Sequence, residues 1–326
     1  MTFSFTATPE FDYMAYFARH IGVEVNGHEL VVPGSLGKGH IRKFLFDADF
    51  KITMHSYLLN EDLVVNRTAS GQGNELITIF FYSNEHPLGI TYNNDPGIHF
   101  SQRDESAIQV TSNDLSSTIR FPADQQIHYV VVAIKPARLA QLLKITAPNS
   151  VIRAITGKGN SFLFFEEMNA ETKLLLKNLS EVNFYEPLAN FLMQIKVQEL
   201  LYLLFRKLSA RESTVHQAIN SADAGRLLYI RNAILSDLSV PPVLPELARM
   251  AAMSETKLKQ LFKQTFGETI YNYYQQARME EAAFLLRQGR HSVAEVGYEM
   301  GFTNLSHFSR LFERHYGLNP KKYSLT

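Results

Sequence analysis

Hydrophobic residues occur in short runs between the N-terminus and about Ala133. Clusters of glycine, asparagine and proline separate these runs, for example at Ser70–Asn74 and Asn93–Gly97. Five runs are rich in isoleucine, valine, phenylalanine, tyrosine and threonine, and predict strands: Ile41–Phe46, Lys51–Leu58, Glu75–Ser83, Ala107–Thr111 and Ile127–Ile134. Regular strand spacing without intervening helices is typical of small barrels and sandwiches, so we expect an N-terminal domain of that kind.

After Pro136 the apolar spacing becomes helical. It predicts one short helix at Pro136–Lys144 and two more within Ala170–Leu208. In the last of these, four leucines between positions 200 and 204 make the helix apolar nearly all round, which indicates burial on more than one side. One face of the same helix carries Leu192, Ile195, Glu199, Tyr202 and Phe205. The polar, non-periodic stretch 209–222 is predicted to be a linker.

From Asp223 onward, capping residues at helix starts and glycines at helix ends predict about seven helices. Ser254 is placed to cap one of them, and Ser292 followed by Glu295 has the spacing of a capping box. Thr269–Gln288 reads as one long helix that ends at a glycine. Pro320 stands at the first position of the last turn, where its missing N–H has no cost.

Two of these helix pairs repeat each other. The heptapeptide at 261–267 (LFKQTFG) matches the one at 311–317 (LFERHYG) in residue type and order. Upstream, Ala248 corresponds to Gly297, and the turn residues 252–253 correspond to 301–302, with one extra residue in the second copy. A short helix, a tight turn and a second helix form the helix-turn-helix plan, whose second helix enters the major groove of DNA. The long helix between the copies spans roughly 30 Å, close to one turn of B-DNA.

Composition adds a modest electrostatic argument. The 326 residues carry 32 basic and 32 acidic side chains, but the segment Asp223–Thr326 has 13 basic and 10 acidic ones, the sign that phosphate binding requires. The chain has no cysteine, which excludes disulfides, thiolate metal sites and cysteine nucleophiles. No apolar run approaches the ~20 residues of a membrane span, and the N-terminus lacks a signal-peptide pattern. We therefore expect a cytoplasmic protein without a membrane partner.

The run Gly301–Phe312, followed by Tyr316-Gly317-Leu318-Asn319-Pro320 and Tyr323, closely resembles the C-terminal signature of the AraC/XylS family of transcription regulators. The resemblance covers roughly Ala224–Tyr323 and implies double-stranded DNA as a partner, with RNA polymerase as a second one and activation as the usual outcome. Gly297 stands where the family usually has alanine. The first reading helix lacks the large tryptophan or arginine of some relatives.

Positions carried over from the family give nine candidate DNA contacts. Asparagine, glutamine and arginine can hydrogen-bond base edges, whereas serine and threonine more often hold phosphates. The candidates are Thr256, Lys257, Lys259 and Gln260 in the first reading helix, and Thr303, Asn304, Ser306, His307 and Arg310 in the second.

The strand-rich part resembles the cupin-like sensor barrel of the same family. The turn Phe121-Pro122-Ala123-Asp124-Gln125 is similar to one found in such barrels. The resemblance implies a small-molecule effector, with Tyr57, Arg67, Tyr82 and Tyr92 as candidate binding residues, and a homodimer formed through the helices of Ala170–Leu208. Seven N-terminal histidines are too widely spaced for a cupin metal site, so we expect no metal and no cofactor.

The predicted class is therefore a multidomain α+β protein. A cupin-like β-barrel (1–160) precedes dimerisation helices (161–208), a linker (209–222) and an all-α domain of seven helices with two helix-turn-helix motifs (223–326). Two alternatives remain beside an effector-controlled regulator. The N-terminal domain could bind a protein partner instead of a ligand, or the module could deliver a DNA-modifying enzyme. Alkyl-transfer repair of that kind needs cysteine acceptors, which are absent, so we expect no enzyme.

Overall fold

The computed structural model describes residues 1–71, 73–84, 107–212 and 215–325, together with the backbone of two short strands at 88–91 and 98–100. The chain divides into two compact units. The first comprises Met1–Gly225 with Gln264–Gly267, and the second comprises Arg226–Lys263 with Glu268–Thr326. None of the helices within the described ranges is both long enough and apolar enough to cross a membrane.

The first unit contains most of the β structure. Its strands are β1 (Thr2–Thr6), β2 (Glu29–Val31), β3 (Gly37–Asp47), β4 (Phe50–Leu59), β5 (Leu63–Thr68), β6 (Ile77–Tyr82), β7 (Leu88–Thr91), β8 (Ile98–Phe100), β9 (Ile108–Ser112), β10 (Ser117–Phe121), β11 (Gln126–Ile134) and β12 (Leu163–Glu166). Its helices are α1 (Tyr13–Ile21), α2 (Pro136–Leu143), α3 (Ser150–Thr156), α4 (Ala170–Ser180) and α5 (Ala189–Ala210).

The strands form two sheets. The small sheet has the order β1-β5-β10-β7-β8, and the large sheet has the order β12-β9-β6-β11-β4-β3-β2. All pairings are antiparallel except that of β1 with β5. The predicted closed barrel is wrong, since no ladder joins the two sheets within the described ranges. The large sheet ends in strands of three and four residues, β2 and β12, and such short edges offer little backbone for a further partner.

The large sheet is buried on both faces. On β4, β6 and β11, every second residue packs against the helices, as Ile52, Ile79 and Val132 do. The residues between them face the small sheet. One face of the small sheet is exposed to solvent, because buried and more exposed residues alternate along β5 and β10. The unit is therefore a two-layer sandwich with a helical layer on the outside of its larger sheet.

The five predicted strands are confirmed as parts of β3, β4, β6, β9 and β11. The three predicted helices correspond to α2, α4 and α5. The leucines at 200, 201, 203 and 204 are all buried, as the all-round apolar pattern indicated. One difference is β12, a strand in a segment where only helices were expected. It pairs with β9 through residues 163–166, so a partner some fifty positions away determines its conformation.

The second unit is helical. Across residues 221–325 the helices are α6 (Ser221–Ser236), α7 (Leu244–Met250), α8 (Glu255–Phe266), α9 (Ile270–Gln288), α10 (Val293–Glu299), α11 (Leu305–Tyr316) and α12 (Pro320–Tyr323). The seven predicted helices are thus confirmed. The capping box of Ser292 and Glu295 forms at the start of α10, and Gly289 and Gly317 end α9 and α11 in the left-handed conformation.

A buried asparagine fixes the loops at one end of the sandwich. The Asn113 side chain is fully buried; its amide donates to the carbonyl of Ala7 at 3.1 Å and to the Ser70 hydroxyl at 2.8 Å. Its oxygen accepts hydrogen bonds from the backbone N–H groups of Glu75 and Leu76. One side chain therefore satisfies backbone groups in two segments, at Ala7 and at Glu75–Leu76, and bonds the hydroxyl of Ser70 in a third.

We predict that Asn113→Ala lowers the free energy of unfolding of the first unit by about 2–4 kcal/mol, because it leaves several buried backbone groups without partners. Differential scanning calorimetry of the full chain measures the effect. The matched control is Asn183→Ala, which removes an exposed asparagine that bonds only its neighbours Tyr185 and Glu186. Equal stability of the two variants would contradict the structural role of Asn113.

Candidate nucleic-acid interface and N-terminal cavity

The first helix pair consists of α7 and α8. After α7, Ala252 takes a left-handed conformation with φ of 48°, which is unusual for a residue with a side chain. This turn lets the N–H of Met253 bond back to the carbonyl of Ala248 at 3.0 Å. Ser254 then accepts a hydrogen bond from the N–H of Lys257 and caps α8. The cap and the turn fix the direction in which α8 leaves α7.

The second pair, α10 and α11, repeats this geometry. Gly301 is left-handed with φ of 72°, and the N–H of Phe302 bonds to the carbonyl of Gly297 at 2.9 Å. Asn304 caps α11 by accepting from the N–H groups of Ser306 and His307. The extra residue of the second copy, Thr303, lies between the turn and the cap. The sequence repeat is therefore a structural repeat down to individual hydrogen bonds.

Close packing explains the two glycines of the second copy. A Cβ atom on Gly297 would lie 2.6 Å from a methyl carbon of Leu305 and 3.1 Å from the ring of Phe308. A Cβ atom on Gly301 would lie 1.9 Å from the backbone oxygen of Ser239. An alanine at 297 would require the terminal methyl of Leu305 to move, whereas the glycine at 301 is required by both its φ angle and the backbone of Ser239.

Two buried arginines connect helix α9 to its neighbours. Arg278 is 5% exposed; its Nε donates to the carbonyl of Met300 at 2.6 Å and its guanidinium lies 3.6 Å from the centre of the Phe302 ring. Burial lowers the pKa of Arg278, although a guanidinium stays protonated at neutral pH. In the first half, Arg231 donates to the hydroxyl of Tyr273, whose ring packs edge-on against Phe262. Sequence reasoning missed both arginines, because charge alone indicates a surface position.

The four candidates on α8 lie in its first two turns. Thr256, Lys259 and Gln260 are exposed and Lys257 is half-buried. Lys259 forms a loose ion pair with Glu255 at 3.9 Å, with both side chains largely in water. Such a pair contributes little to stability, so the lysine can exchange the carboxylate for a phosphate.

The five candidates of the second pair lie at the start of α11. Thr303, Asn304, Ser306, His307 and Arg310 are all exposed. Asn304 uses its oxygen as the helix cap, so only its amide N–H groups remain for a ligand. The Nε of Arg310 bonds to the carbonyl of Ser306 at 3.3 Å, which lays the side chain along the outer face of the helix. The structure thus brings the candidates of each copy together on one reading helix.

The effector candidates are dispersed in the first unit. Tyr57 is fully buried and its hydroxyl lies 3.2 Å from that of Tyr129. Tyr82 is fully buried and donates to Gln109. Arg67 is buried and donates to the carbonyl of Ser112. Tyr92 lies outside the described residues.

A cavity of about 100 Å³ lies between the inner faces of the two sheets. Arg67 contributes to its wall, whereas Tyr57 and Tyr82 do not. The large sheet contributes Lys43, Lys51, Ile52, Thr53, His55, Thr78, Phe80, Tyr129, Val131 and Ala133, and the small sheet contributes Phe5, Val65, Arg67, Ile119 and Phe121. Burial lowers the pKa of His55 to about 3, so its imidazole is neutral at physiological pH. The alternation of polar and apolar residues in β4 was the sequence signal for this wall.

Comparison with known proteins supports the helix-turn-helix assignment. A family model for a helix-turn-helix domain matches residues 247–325. An uncharacterized HTH-type transcriptional regulator of Haemophilus influenzae is 33% identical over 78 residues, which are 24% of this chain and 26% of that protein. The HTH-type transcriptional activator RhaR of Yersinia pestis is 30% identical over 130 residues, 40% of this chain and 45% of that protein. The chain thus spans less than half of the length of either relative.

One solved structure is similar to part of the chain, and a second is similar to most of it. An AraC-type transcriptional regulator of Chromobacterium violaceum is 25% identical, with a TM-score of 0.30, over 32% of this chain and 95% of that one. A variant of apo ToxT from Vibrio cholerae is 12% identical, with a TM-score of 0.36, over 86% of this chain and 98% of that one.

We predict that Arg310→Ala weakens binding to a specific duplex by about 1–3 kcal/mol, because an exposed guanidinium on a reading helix can bond a base edge or a phosphate. Fluorescence anisotropy of the full chain with a selected duplex measures the change. The matched control is Arg290→Ala, an exposed arginine in the loop before α10. Unchanged affinity would remove Arg310 from the interface.

We predict that Arg278→Met destabilises the second helix pair, because it removes the bond to Met300 and the stacking on Phe302 while keeping the volume of the side chain. The expected loss is about 1–3 kcal/mol in urea unfolding. Arg278→Lys should restore only part of it, since an ammonium cannot stack as a planar guanidinium does. Full restoration by lysine would mean that charge alone matters at this position.

Proposed function

We propose that this chain is a sequence-specific regulator of transcription of the AraC type, whose helix-turn-helix domain lies at residues 247–325. The observation that carries the proposal is the duplicated turn, with Ala252 and Gly301 both left-handed and each followed by an exposed polar reading helix. Such helices place their N-terminal residues in the major groove of DNA.

The helix between the two copies supports binding to one duplex. Helix α9 has 19 residues and so is about 28 Å long. Its interior has neither proline nor glycine, the usual causes of sharp kinks. Successive major-groove faces on one side of B-DNA lie about 34 Å apart. We infer that α8 and α11 read two adjacent segments of the same groove, with the nine candidate residues providing the contacts.

In vitro selection from random duplexes, with the full chain as bait, tests this function. We expect an enriched motif with two parts whose centres lie about one helical turn apart. We also expect a steep loss of affinity with salt, because released counterions drive phosphate binding. The double variant Lys259→Ala with Arg310→Ala should abolish the enrichment. Recovery of no motif by the unaltered chain would overturn the proposal.

We further propose that a small molecule bound in the N-terminal cavity controls the regulator, and that it acts as an activator together with RNA polymerase. The cavity lies within the sandwich and is bordered by polar side chains that a purely structural core does not need. A ligand there would favour one packing arrangement of the two sheets over another. Such a shift between two arrangements is the physical basis of control. If no ligand binds and a protein partner is retained by the N-terminal unit, the alternative of control by a protein gains support.

We propose that the protein is a homodimer formed through α5. Five large apolar side chains on this helix and its N-cap are exposed, and they recur on one side at intervals of three, four or seven residues: Leu188, Phe191, Leu192, Ile195 and Tyr202. The opposite side packs into the core of the unit. A second copy of the same helix offers a surface of matching length and composition, as a two-fold interface requires.

We predict that Ile195→Asp converts the dimer to a monomer, because it places a charge in the centre of the apolar side of α5. Size-exclusion chromatography with light scattering measures the mass. The matched control is Asn190→Asp, which adds the same charge on an exposed position away from that side. A monomeric mass for the unaltered chain, with and without DNA, would end the dimer proposal.

A further inference from the structure

The two reading helices end in different surroundings, although their sequences repeat. Gly267 and Gly317 follow α8 and α11, and both are left-handed, with φ of 84° and 70°. A Cβ atom on Gly317 would have no neighbour within 4 Å among the described residues, whereas one on Gly267 would lie 3.2 Å from the guanidinium of Arg211. Gln264 is 7% exposed, but its counterpart in the second copy, Arg314, is exposed. The outer side of the last turn is therefore covered in α8 and exposed in α11.

Arg211 provides most of this cover. The residue lies in the stretch 209–222, which was predicted to be a linker. Its Nη1 donates to the carbonyl of Gln264 at 2.9 Å. Its Nε forms an ion pair with Glu166 at 2.7 Å, and its Nη2 donates to the carbonyl of Phe165. The side chains of Arg211 and Glu166 are only 10% and 12% exposed, so one buried guanidinium joins strand β12 to the last turn of α8.

Two further contacts hold the same turn. The Gln264 side chain accepts a hydrogen bond from the N–H of Gln217 and donates one to the carbonyl of Gln217, both at 2.8 Å. The ring of Phe266 is buried and stacks on Phe165, with 5.5 Å between the ring centres and 11° between the planes. These contacts explain why Gln264–Gly267 belongs to the first compact unit.

The charge of Arg211 suits the end of a helix. The last four carbonyls of an α-helix have no partner within the helix, and a cation near them is stabilising. Helix α11 carries Arg314 and His315 in its own last turn, whereas α8 carries only Lys263 there. The carbonyl of Gln264 is one of the last four in α8, and Arg211 gives it both a donor and a positive charge. The first reading helix thus takes from another segment what the second contains in its own sequence.

We propose that Arg211 is a positioning residue for DNA recognition: it holds the last turn of α8, so that the first reading helix keeps the orientation that the major groove requires. The turn at Ala252 directs the start of α8, and Arg211 holds its end. A helix of 12 residues is about 18 Å long, so a tilt of about 10° about one end moves the other end by about 3 Å. The inference rests on the proposed binding of DNA, and it assigns Arg211 no contact with DNA.

The two halves of the selected motif serve as controls for each other. The variant Lys259→Ala identifies the half that α8 reads. For the unaltered chain, scrambling either half should weaken binding about 100-fold or more, measured by fluorescence anisotropy. For Arg211→Met, scrambling the α8 half should weaken binding less than about tenfold, whereas scrambling the α11 half should weaken it as much as before. Equal losses for both halves in this variant would overturn the proposal, because a loss of stability alone does not distinguish them.

Three further variants separate positioning from stability. Gln264→Leu removes the bonds to Gln217 at nearly constant volume and should reproduce the loss of discrimination at the α8 half. Arg211→Lys keeps a charge beside Glu166, but an ammonium cannot reproduce the fork of bonds, so this variant should restore only part of the discrimination. The matched control, Arg206→Met, removes an exposed arginine of α5 and should leave both halves unchanged. Full discrimination at the α8 half in both Arg211→Met and Gln264→Leu would refute the assignment.

Hydrogen exchange tests the structural part without DNA. Backbone amides at the end of a helix exchange through fraying, so contacts that hold the last turn slow their exchange. In the unaltered chain, the amides of residues 264–267 should exchange more slowly than those of residues 314–317. Arg211→Met should speed exchange at 264–267 by about tenfold and leave 314–317 unchanged. Unchanged exchange at 264–267 would mean that Arg211 does not hold α8, and the proposal would be wrong.

These measurements distinguish failure of the positioning role from failure of the proposed function. If the unaltered chain selects a two-part motif and Arg211→Met discriminates both halves fully, the regulator stands and the positioning role is overturned. If the unaltered chain selects no motif, the proposed function fails, and the positioning role fails with it even where hydrogen exchange responds.

Discussion

Both reading helices depend on a left-handed residue two positions after the end of the preceding helix. At Ala252 and Gly301 the chain reverses sharply, and the next N–H returns to a carbonyl five residues back. A left-handed conformation costs an alanine about 1 kcal/mol more than a glycine. The cost at Ala252 is offset by the bond from Met253 to Ala248 and by the burial of Leu247, Leu258 and Phe262. Without that turn, α8 and α11 would continue in other directions, and the exposed polar residues of each would no longer lie beside its partner helix.

Helix α9 extends this local constraint to a longer distance. Tyr273 near its start contacts Phe262 of the first pair, and Arg278 near its middle holds the turn of the second pair. One continuous helix thereby supports both pairs. A buried guanidinium suits this place, because it bonds the free carbonyl of Met300 and stacks on Phe302 with the same group. An apolar residue would fill the space but leave the carbonyl without that bond.

The sequence predicts the helical unit far better than the sandwich, for a physical reason. Caps and terminal glycines act within a few residues. The sequence therefore predicts directly that α10 starts after Ser292 and that α9 and α11 end at Gly289 and Gly317. Strand pairing acts over long separations. Strands β1, β5 and β10 were not predicted, because at least half of their residues are polar and their sequences give no long apolar run. The same difficulty led to a predicted barrel, since alternation shows that a strand is half-buried but not which sheet it joins.

The nine candidate DNA contacts were carried over from the family and stay predictions, whereas Arg67 is the one predicted effector residue that borders the cavity among the described residues. Tyr57 and Tyr82 were chosen as aromatic residues near strand ends, yet both are fully buried with hydroxyls bonded inside the unit. Tyr57 lies on the same face of β4 as Lys51 and His55, and Tyr82 lies on the same face of β6 as Phe80, yet neither tyrosine borders the cavity. Alternation along a strand identifies the face of a residue. Which residues of that face border a cavity depends on how the second sheet packs, and residue type does not show that.

The energetics of the cavity explain why such a wall is suited to control. A void of about 100 Å³ costs about 2–3 kcal/mol when it is empty. A ligand at a hundredfold excess over its dissociation constant contributes about 2.7 kcal/mol. The two quantities are similar, so occupation would change the stability of the unit by a large part of the roughly 5–15 kcal/mol that holds a domain folded. The segment with Phe5, Phe11 and Asp12 forms one side of the cavity and joins the sandwich through β1, an edge strand. Because an edge strand has only one neighbour in its sheet, fewer backbone hydrogen bonds hold this segment than hold the central strands of the wall, and a change in the contents of the cavity meets less resistance there.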